Sequence, residues 1–171
     1  LVADNVYKPT RRFCDNVLKR YGVGVRYFDP RLPPQAVLDQ AVPATRLIVM
    51  ESPGSLTFEM QDLAAVAALA KGRGVLTLTD NTWGAGYLFK PLEHGVDISV
   101  QALTKYVGGH SDVFMGSAAA RDPALVHALA DGVHNLGWAV SAEDAYQMLR
   151  GLRTLPARLK QQGEAALRIA A

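Results

Sequence analysis

Short apolar segments that end in polar residues alternate with helical segments along this chain, and this alternation constrains the fold more than any other feature. Residues 46–50, 75–79 and 97–101 have the pattern of strands, and the Ala- and Leu-rich residues 63–71 have the pattern of a helix. Alternation of this kind predicts an α/β fold with a mostly parallel sheet. Because parallel strands are joined by right-handed crossovers, we expect helices on both faces, in a three-layer α/β/α arrangement.

The weaker patterns complete this outline. We predict further strands at 1–3, 23–28 and 113–119. Further helices are predicted to begin near Pro9, at 33–40, at 122–130, at 141 and at 154. The chain begins at Leu1 rather than Met, and its last helical pattern continues to Ala171. We therefore expect it to be a fragment of a longer protein.

Composition argues against several functional classes. The net charge of +2 comes without a block of Lys or Arg, so we expect no nucleic-acid partner. No run of about 18 apolar residues is present, so we expect no membrane span. The single cysteine, Cys14, excludes an intramolecular disulfide and fits a reducing compartment, and we expect a cytoplasmic protein. The four histidines lack metal-ligand spacing, so no metal site is predicted.

Polar residues cluster where three of the predicted strands end, at 50–55, 79–83 and 101–112. In a parallel sheet these ends open on one rim, where ligands bind. Asp80 closes an apolar strand, and a carboxylate there needs a partner because burying an unpaired charge is costly. On spacing alone, Asp80 is as consistent with a helix N-cap or a salt bridge as with a functional group. Lys105 precedes a glycine pair that would let the backbone approach a ligand, although a solvated surface lysine has the same sequence signal.

A lysine and an aspartate at neighbouring strand ends have a known joint use. Lysine amines condense with carbonyl groups, and pyridoxal 5'-phosphate (PLP) requires such a lysine together with an acidic partner for its pyridinium nitrogen. Tyr7, at the end of the first strand, is an aromatic residue able to stack on a cofactor ring, although a tyrosine at a rim more often only packs. Thr104 and Ser111 carry hydroxyls suited to a phosphate.

Residues 97–112 resemble the PLP-attachment signature of the Cys/Met metabolism PLP-dependent enzymes, which have the fold type I large domain. Residues 80–83 resemble the segment that binds the pyridinium nitrogen, Tyr7 falls where the family keeps its stacking tyrosine, and 150–155 resemble the start of the link to a C-terminal domain. The resemblance implies that Lys105, Asp80, Tyr7 and Thr104 bind PLP, and that Lys105 and Tyr7 take part in catalysis. It also implies that 1–150 form part of the PLP-binding domain and 151–171 begin the link.

Within this family, residues 51–57 and 101–105 are most similar to the branch that eliminates at the β-carbon of L-cystathionine. This implies a carbon–sulfur lyase that acts on an amino-acid thioether in methionine biosynthesis, assembled as a dimer of dimers. A γ-acting relative and a non-catalytic phosphate- or PLP-binding α/β module stay open as alternatives. The missing parts would supply phosphate contacts and the arginine for the substrate carboxylate, so we expect the isolated fragment to be inactive.

Overall fold

A computed structural model describes all 171 residues. The six strands are β1 (Val2–Ala3), β2 (Tyr27–Phe28), β3 (Leu47–Glu51), β4 (Leu76–Asp80), β5 (Ile98–Ala102) and β6 (Gly116–Ala120). The five helices are α1 (Lys8–Asn16), α2 (Pro34–Asp39), α3 (Leu63–Gly72), α4 (Pro123–Asn135) and α5 (Ala142–Ala170), and two 3₁₀ helices span Leu18–Tyr21 and Pro91–His94. No helix combines the length and the apolarity needed to cross a membrane.

The strands form one sheet in the order β2-β1-β3-β4-β5-β6. Strands β1 to β5 pair in parallel, and only β6 runs antiparallel, beside β5. This topology confirms the predicted α/β class and the mostly parallel sheet. The antiparallel edge follows from the chain path, because residues 103–115 connect β5 to β6 without a crossover helix.

The two faces of the sheet are buried to different extents. Ile48 pairs with Thr77 and Met50 with Thr79, and all four side chains are fully buried. They belong to the side of the sheet that, with α2 and α3, encloses most of the apolar core. On the opposite face Val49 is half-buried and Leu76 stays 38% exposed. These 171 residues therefore cover one face of the sheet more completely than the other.

The end of the chain differs from the sequence prediction. Two helices, one from 141 and one from 154, were expected. Glycine and proline, present here as Gly151 and Pro156, usually weaken or interrupt a helix. The structure has one helix, α5, which is 29 residues long and contains Pro156. Gly151, Leu155 and Leu159 recur at a spacing of four and are buried, so tertiary packing of this face outweighs the local preference. Strand β2 is likewise shorter than predicted, since only Tyr27 and Phe28 pair with β1.

A second, smaller core lies beneath α5. Met148, Leu155 and Leu159 pack there against Val107 and Val113, which belong to the segment between β5 and β6. Gly151 lies directly against this segment, and a Cβ atom at that position would overlap with the carbonyl oxygen of Val107 and lie 2.7 Å from that of Gly108. The absence of a side chain at Gly151 thus lets α5 approach the backbone after β5.

We predict opposite effects for two Gly→Ala substitutions in α5. Gly151→Ala should lower the free energy of unfolding by about 1–3 kcal/mol, because the methyl group meets backbone atoms that cannot rotate away. Gly163→Ala should raise it by up to about 1 kcal/mol, since that exposed helical position has nothing within 4 Å. Thermal unfolding of both variants checks this, and a stable Gly151→Ala protein would contradict the described packing of α5.

Candidate active site

The carboxyl ends of β3, β4 and β5 open on one rim, as expected for parallel strands, and a cavity of about 520 Å³ lies there. Asp80 and Lys105, and with them Tyr7 and Thr104, line this cavity. The structure therefore brings all four of the predicted site residues together. The other lining residues are Glu51, Ser55, Leu56, Thr82, Trp83, Ala102, Tyr106, Gly109, Ser111, Arg158 and Gln162.

Asp80 is the last residue of β4, and its two carboxylate oxygens differ in their surroundings. Oδ1 accepts hydrogen bonds from the backbone N–H of Thr82 (2.9 Å) and from its hydroxyl (2.6 Å), which fixes the orientation of the carboxylate. The Thr82 hydroxyl in turn accepts from the backbone N–H of Ala102 (2.8 Å), so it ties the end of β4 to the end of β5. No protein donor reaches Oδ2. The half-buried carboxylate is thus held in place with one oxygen free to accept from a ligand.

Lys105 lies in the turn that follows β5. Its backbone N–H donates to the carbonyl of Ala102 (3.1 Å), and its own carbonyl accepts from the N–H of Gly109 (2.9 Å). Gly109 has a φ of 75°, a conformation in which a side chain is strained. The Nζ atom has no carboxylate within salt-bridge distance, so no ion pair holds it away from the cavity that Lys105 lines.

Thr104 faces the cavity, but its hydrogen-bonding groups are engaged. The hydroxyl donates to the carbonyl of Met115 (3.1 Å) and accepts from the N–H of the same residue (3.0 Å). The Thr104 backbone N–H also donates to that carbonyl (3.2 Å). In this arrangement Thr104 closes the loop between β5 and β6. A hydrogen bond from the Thr104 hydroxyl to a phosphate stays a prediction, and it requires the hydroxyl proton to rotate away from the Met115 carbonyl. The Ser111 hydroxyl, which lines the same cavity, has no protein hydrogen-bond partner.

Tyr7 precedes α1 and, as a whole residue, is 49% exposed at the mouth of the cavity. Its position is fixed through the backbone, because its N–H donates to the Glu51 carboxylate (2.7 Å). The ring is therefore presented to the cavity without a polar partner for its hydroxyl. A flat ring in that position is able to stack on a planar ligand.

Glu51 is a site residue that sequence reasoning did not single out. It ends β3 opposite Asp80, is only 5% exposed and lines the cavity. Burial raises the pKa of Glu51 to about 7; the Tyr7 N–H acts against this rise, and the Asp80 carboxylate adds to it. The sequence signal was the same as that of Asp80, an acidic residue that closes an apolar strand. The sequence did not indicate how deeply the Glu51 side chain is buried.

Arg158 is the second residue that was missed, and it has no comparable sequence signal. It lies on α5 and reaches the cavity only because that helix packs against the turn after β5, more than 50 positions earlier. Trp83 lines the cavity and has its ring 5.4 Å from that of Phe58 and 6.3 Å from that of Tyr106. Aromatic rings thus form one wall of the site.

Comparison with known proteins decides the family. The family model described as Cys/Met metabolism PLP-dependent enzyme matches residues 1–171. The chain belongs to this family. It is 44% identical over 169 residues to the cystathionine beta-lyase of Bordetella avium and 47% identical over 172 residues to a putative cystathionine beta-lyase of Rhizobium johnstonii, in each case over 99% of this chain and 42% of the relative. The chain thus spans about two-fifths of these proteins' length.

A solved structure supports the same conclusion for the fold. The crystal structure of cystathionine gamma-lyase from Lactobacillus plantarum complexed with L-serine superimposes with a TM-score of 0.87 at 34% identity, over 91% of this chain and 41% of that one. The fold is therefore the partial α/β large domain of a PLP-dependent enzyme, and the predicted cofactor, PLP, is confirmed as that of the family.

The cavity suits PLP on chemical grounds. Asp80 offers one unpaired carboxylate oxygen for a ring N–H, Lys105 offers an amine for the carbonyl carbon, and Tyr7 offers a flat apolar face. The Ser111 hydroxyl adds a donor for an anionic group. The donor set at this rim therefore matches each functional part of the cofactor.

We predict that Asp80→Asn raises the dissociation constant for PLP roughly 10- to 100-fold, because the hydrogen bond from the pyridinium then goes to a neutral acceptor. Titration of the cofactor-free full-length protein with PLP measures this constant. Asp131→Asn, an exposed position on α4, serves as the control and should change little. An unchanged constant in Asp80→Asn would contradict the assigned role of Oδ2.

We predict that Glu51 makes stability depend on pH. The unfolded chain releases this proton near its ordinary pKa of 4.5, whereas the folded protein keeps it up to about pH 7. The folded state thus binds more protons in that window, so its stability falls as the pH rises from about 4.5 to about 7. Glu51→Gln should remove a decline on the order of 2–3 kcal/mol.

Urea unfolding of the cofactor-free protein between about pH 5 and about pH 8 tests this prediction. Glu164→Gln, which removes an exposed carboxylate of α5 without an ion pair, is the matched control. The same pH profile in both variants and in the unsubstituted protein would show that Glu51 titrates as an ordinary surface group.

Proposed function

We infer that the full-length protein that contains this chain is a PLP-dependent carbon–sulfur lyase that converts L-cystathionine to homocysteine, pyruvate and ammonia. The observation that carries this proposal is the meeting of Lys105, Asp80 and Tyr7 at one cavity on the rim of the sheet. The high identity to proteins named cystathionine beta-lyase supports the substrate and the bond that is cleaved. The reaction belongs to methionine biosynthesis, and we place the enzyme in the cytoplasm as a homotetramer.

Each side chain has a defined task in this proposal. The Nζ atom of Lys105 would hold the cofactor through its carbonyl carbon, and the same atom, when free, would accept the proton from the substrate's α-carbon. When bound, PLP supplies an electron sink that stabilises negative charge at that α-carbon. The Asp80 carboxylate holds a proton on the ring nitrogen through Oδ2, and Thr82 keeps it aligned.

The surrounding residues shape the site. The Tyr7 ring stacks on the cofactor and its hydroxyl assists proton transfer, while the N–H bond to Glu51 keeps the ring at the cavity mouth. Trp83 and Tyr106 exclude water from one side. Residues 1–150 form part of the cofactor-binding domain, and 151–171 lead towards a C-terminal domain. The isolated chain therefore lacks contacts that the full enzyme needs for turnover.

The solved cystathionine gamma-lyase favours one alternative, elimination at the γ-carbon of the same substrate class. The two reactions place the same Lys105 and Asp80 around the cofactor and differ in which substrate bond breaks. The ketoacid product separates them, because β-elimination releases pyruvate and γ-elimination releases 2-oxobutyrate. A non-catalytic PLP-binding module would release neither.

We predict that Lys105→Ala lowers pyruvate formation from L-cystathionine by roughly 10³-fold or more, because both the cofactor linkage and the proton acceptor are lost. Product analysis of the purified full-length enzyme provides the measurement. Lys71→Ala, an exposed lysine at the end of α3, should retain full activity. Turnover by Lys105→Ala near the level of the control would refute the proposal, and 2-oxobutyrate as the main product would move it to γ-elimination.

A further inference from the structure

The turn that carries Lys105 ends as a helix ends. Within it the N–H of Gly108 donates to the carbonyl of Leu103 (2.7 Å) and that of Gly109 donates to the carbonyl of Lys105 (2.9 Å). Gly109 then adopts the left-handed conformation that commonly terminates helices. The carbonyls of Tyr106 and Val107 are left without backbone partners at this end, and such groups need donors from elsewhere.

Arg158 supplies those donors from α5. Its Nη1 donates to the carbonyl of Tyr106 (2.7 Å) and its Nη2 to that of Val107 (3.1 Å). The same guanidinium is anchored on its own helix, since Nη2 also donates to the carbonyl of Gly151 (2.8 Å) and Nε to the Thr154 hydroxyl (3.0 Å). One side chain therefore joins α5 to the turn through two hydrogen bonds and is held on α5 by two more.

The positive charge of this guanidinium is compensated by backbone carbonyls and not by a carboxylate. No carboxylate lies within 4.0 Å of it, and its hydrogen-bond acceptors are three carbonyls and a hydroxyl. The last carbonyls of a helical turn carry partial negative charge, which favours a cation there. The contact is close, because a Cβ atom at Gly109 would overlap with the guanidinium.

We propose that Arg158 is a positioning residue that fixes the turn of residues 105–109, and through it the direction in which the Lys105 amine enters the cavity. The expected effect on catalysis rests on the proposed function, whereas the hydrogen bonds from Arg158 to the turn are independent of it. The planar fork of an arginine fits two adjacent carbonyls at once, and a lysine offers a single point of contact. A displacement of about 1 Å at a reacting group is enough to lower turnover on the order of 100-fold.

The experiment compares Arg158→Ala, Arg158→Lys and Arg153→Ala in the full-length enzyme. Arg153 lies on the same helix, is exposed and makes no side-chain hydrogen bond or ion pair, so its replacement controls for loss of a guanidinium. Hydrogen exchange of the cofactor-free protein reports on the turn without any reaction. Steady-state kinetics of the holoenzyme give kcat and KM separately, and unchanged exchange in β3 and β4 shows that a lower kcat is not caused by unfolded enzyme.

We expect Arg158→Ala to speed exchange at residues 105–109 while β3 and β4 exchange as in Arg153→Ala. We also expect kcat to fall on the order of 100-fold with KM changed by less than about threefold, because the amine is misplaced while the substrate contacts persist. For Arg158→Lys we expect exchange rates at residues 105–109 and a kcat between those of Arg158→Ala and Arg153→Ala. If Arg158→Ala does not fold, Arg158→Lys provides the test. Unchanged exchange at 105–109, or an unchanged kcat, would overturn the inference.

The two proposals fail separately. If the unsubstituted enzyme forms neither pyruvate nor 2-oxobutyrate, the proposed function is wrong, and faster exchange at 105–109 in Arg158→Ala still supports the positioning contact. If the enzyme forms pyruvate and exchange at 105–109 matches the Arg153→Ala control, the function stands and the role of Arg158 is refuted.

Discussion

The register of the parallel strands β3, β4 and β5 is the constraint on which the rest of the structure depends. In the parallel ladder Glu51 lies opposite Asp80, and Asp80 lies opposite Val100. A shift of one residue in any of these strands would turn its side chains to the other face of the sheet. The fully buried Ile48, paired with Thr77, opposes such a shift, so the apolar core also fixes the geometry of the site.

Much of this arrangement followed from the sequence, because it depends on local patterns. The apolar strands, the acidic residue that ends β4 and the glycines after Lys105 each leave a signal within a few positions. The meeting of Asp80 and Lys105 then followed from the parallel sheet. The resemblance to the family added Tyr7 and Thr104. Of these, Thr104 binds the Met115 backbone with its hydroxyl, a detail that no sequence pattern contains.

The features that sequence reasoning missed depend on long-range packing. The continuity of α5 through Pro156 arises because its buried face packs on the segment after β5. Arg158 reaches the turn of Lys105 across more than 50 positions for the same reason. The raised pKa of Glu51 comes mainly from burial, which a sequence indicates only as a preference. In each case the decisive partner lies far away along the chain.

The central claim is that Lys105 is the residue that PLP engages. The most direct measurement is borohydride reduction of the PLP-loaded full-length enzyme, followed by proteolysis and mass spectrometry to locate the attached pyridoxyl group. The account predicts a single labelled lysine, Lys105, and loss of the label in Lys105→Ala. A label on a different lysine, or no stable label in a protein that binds PLP, would contradict it.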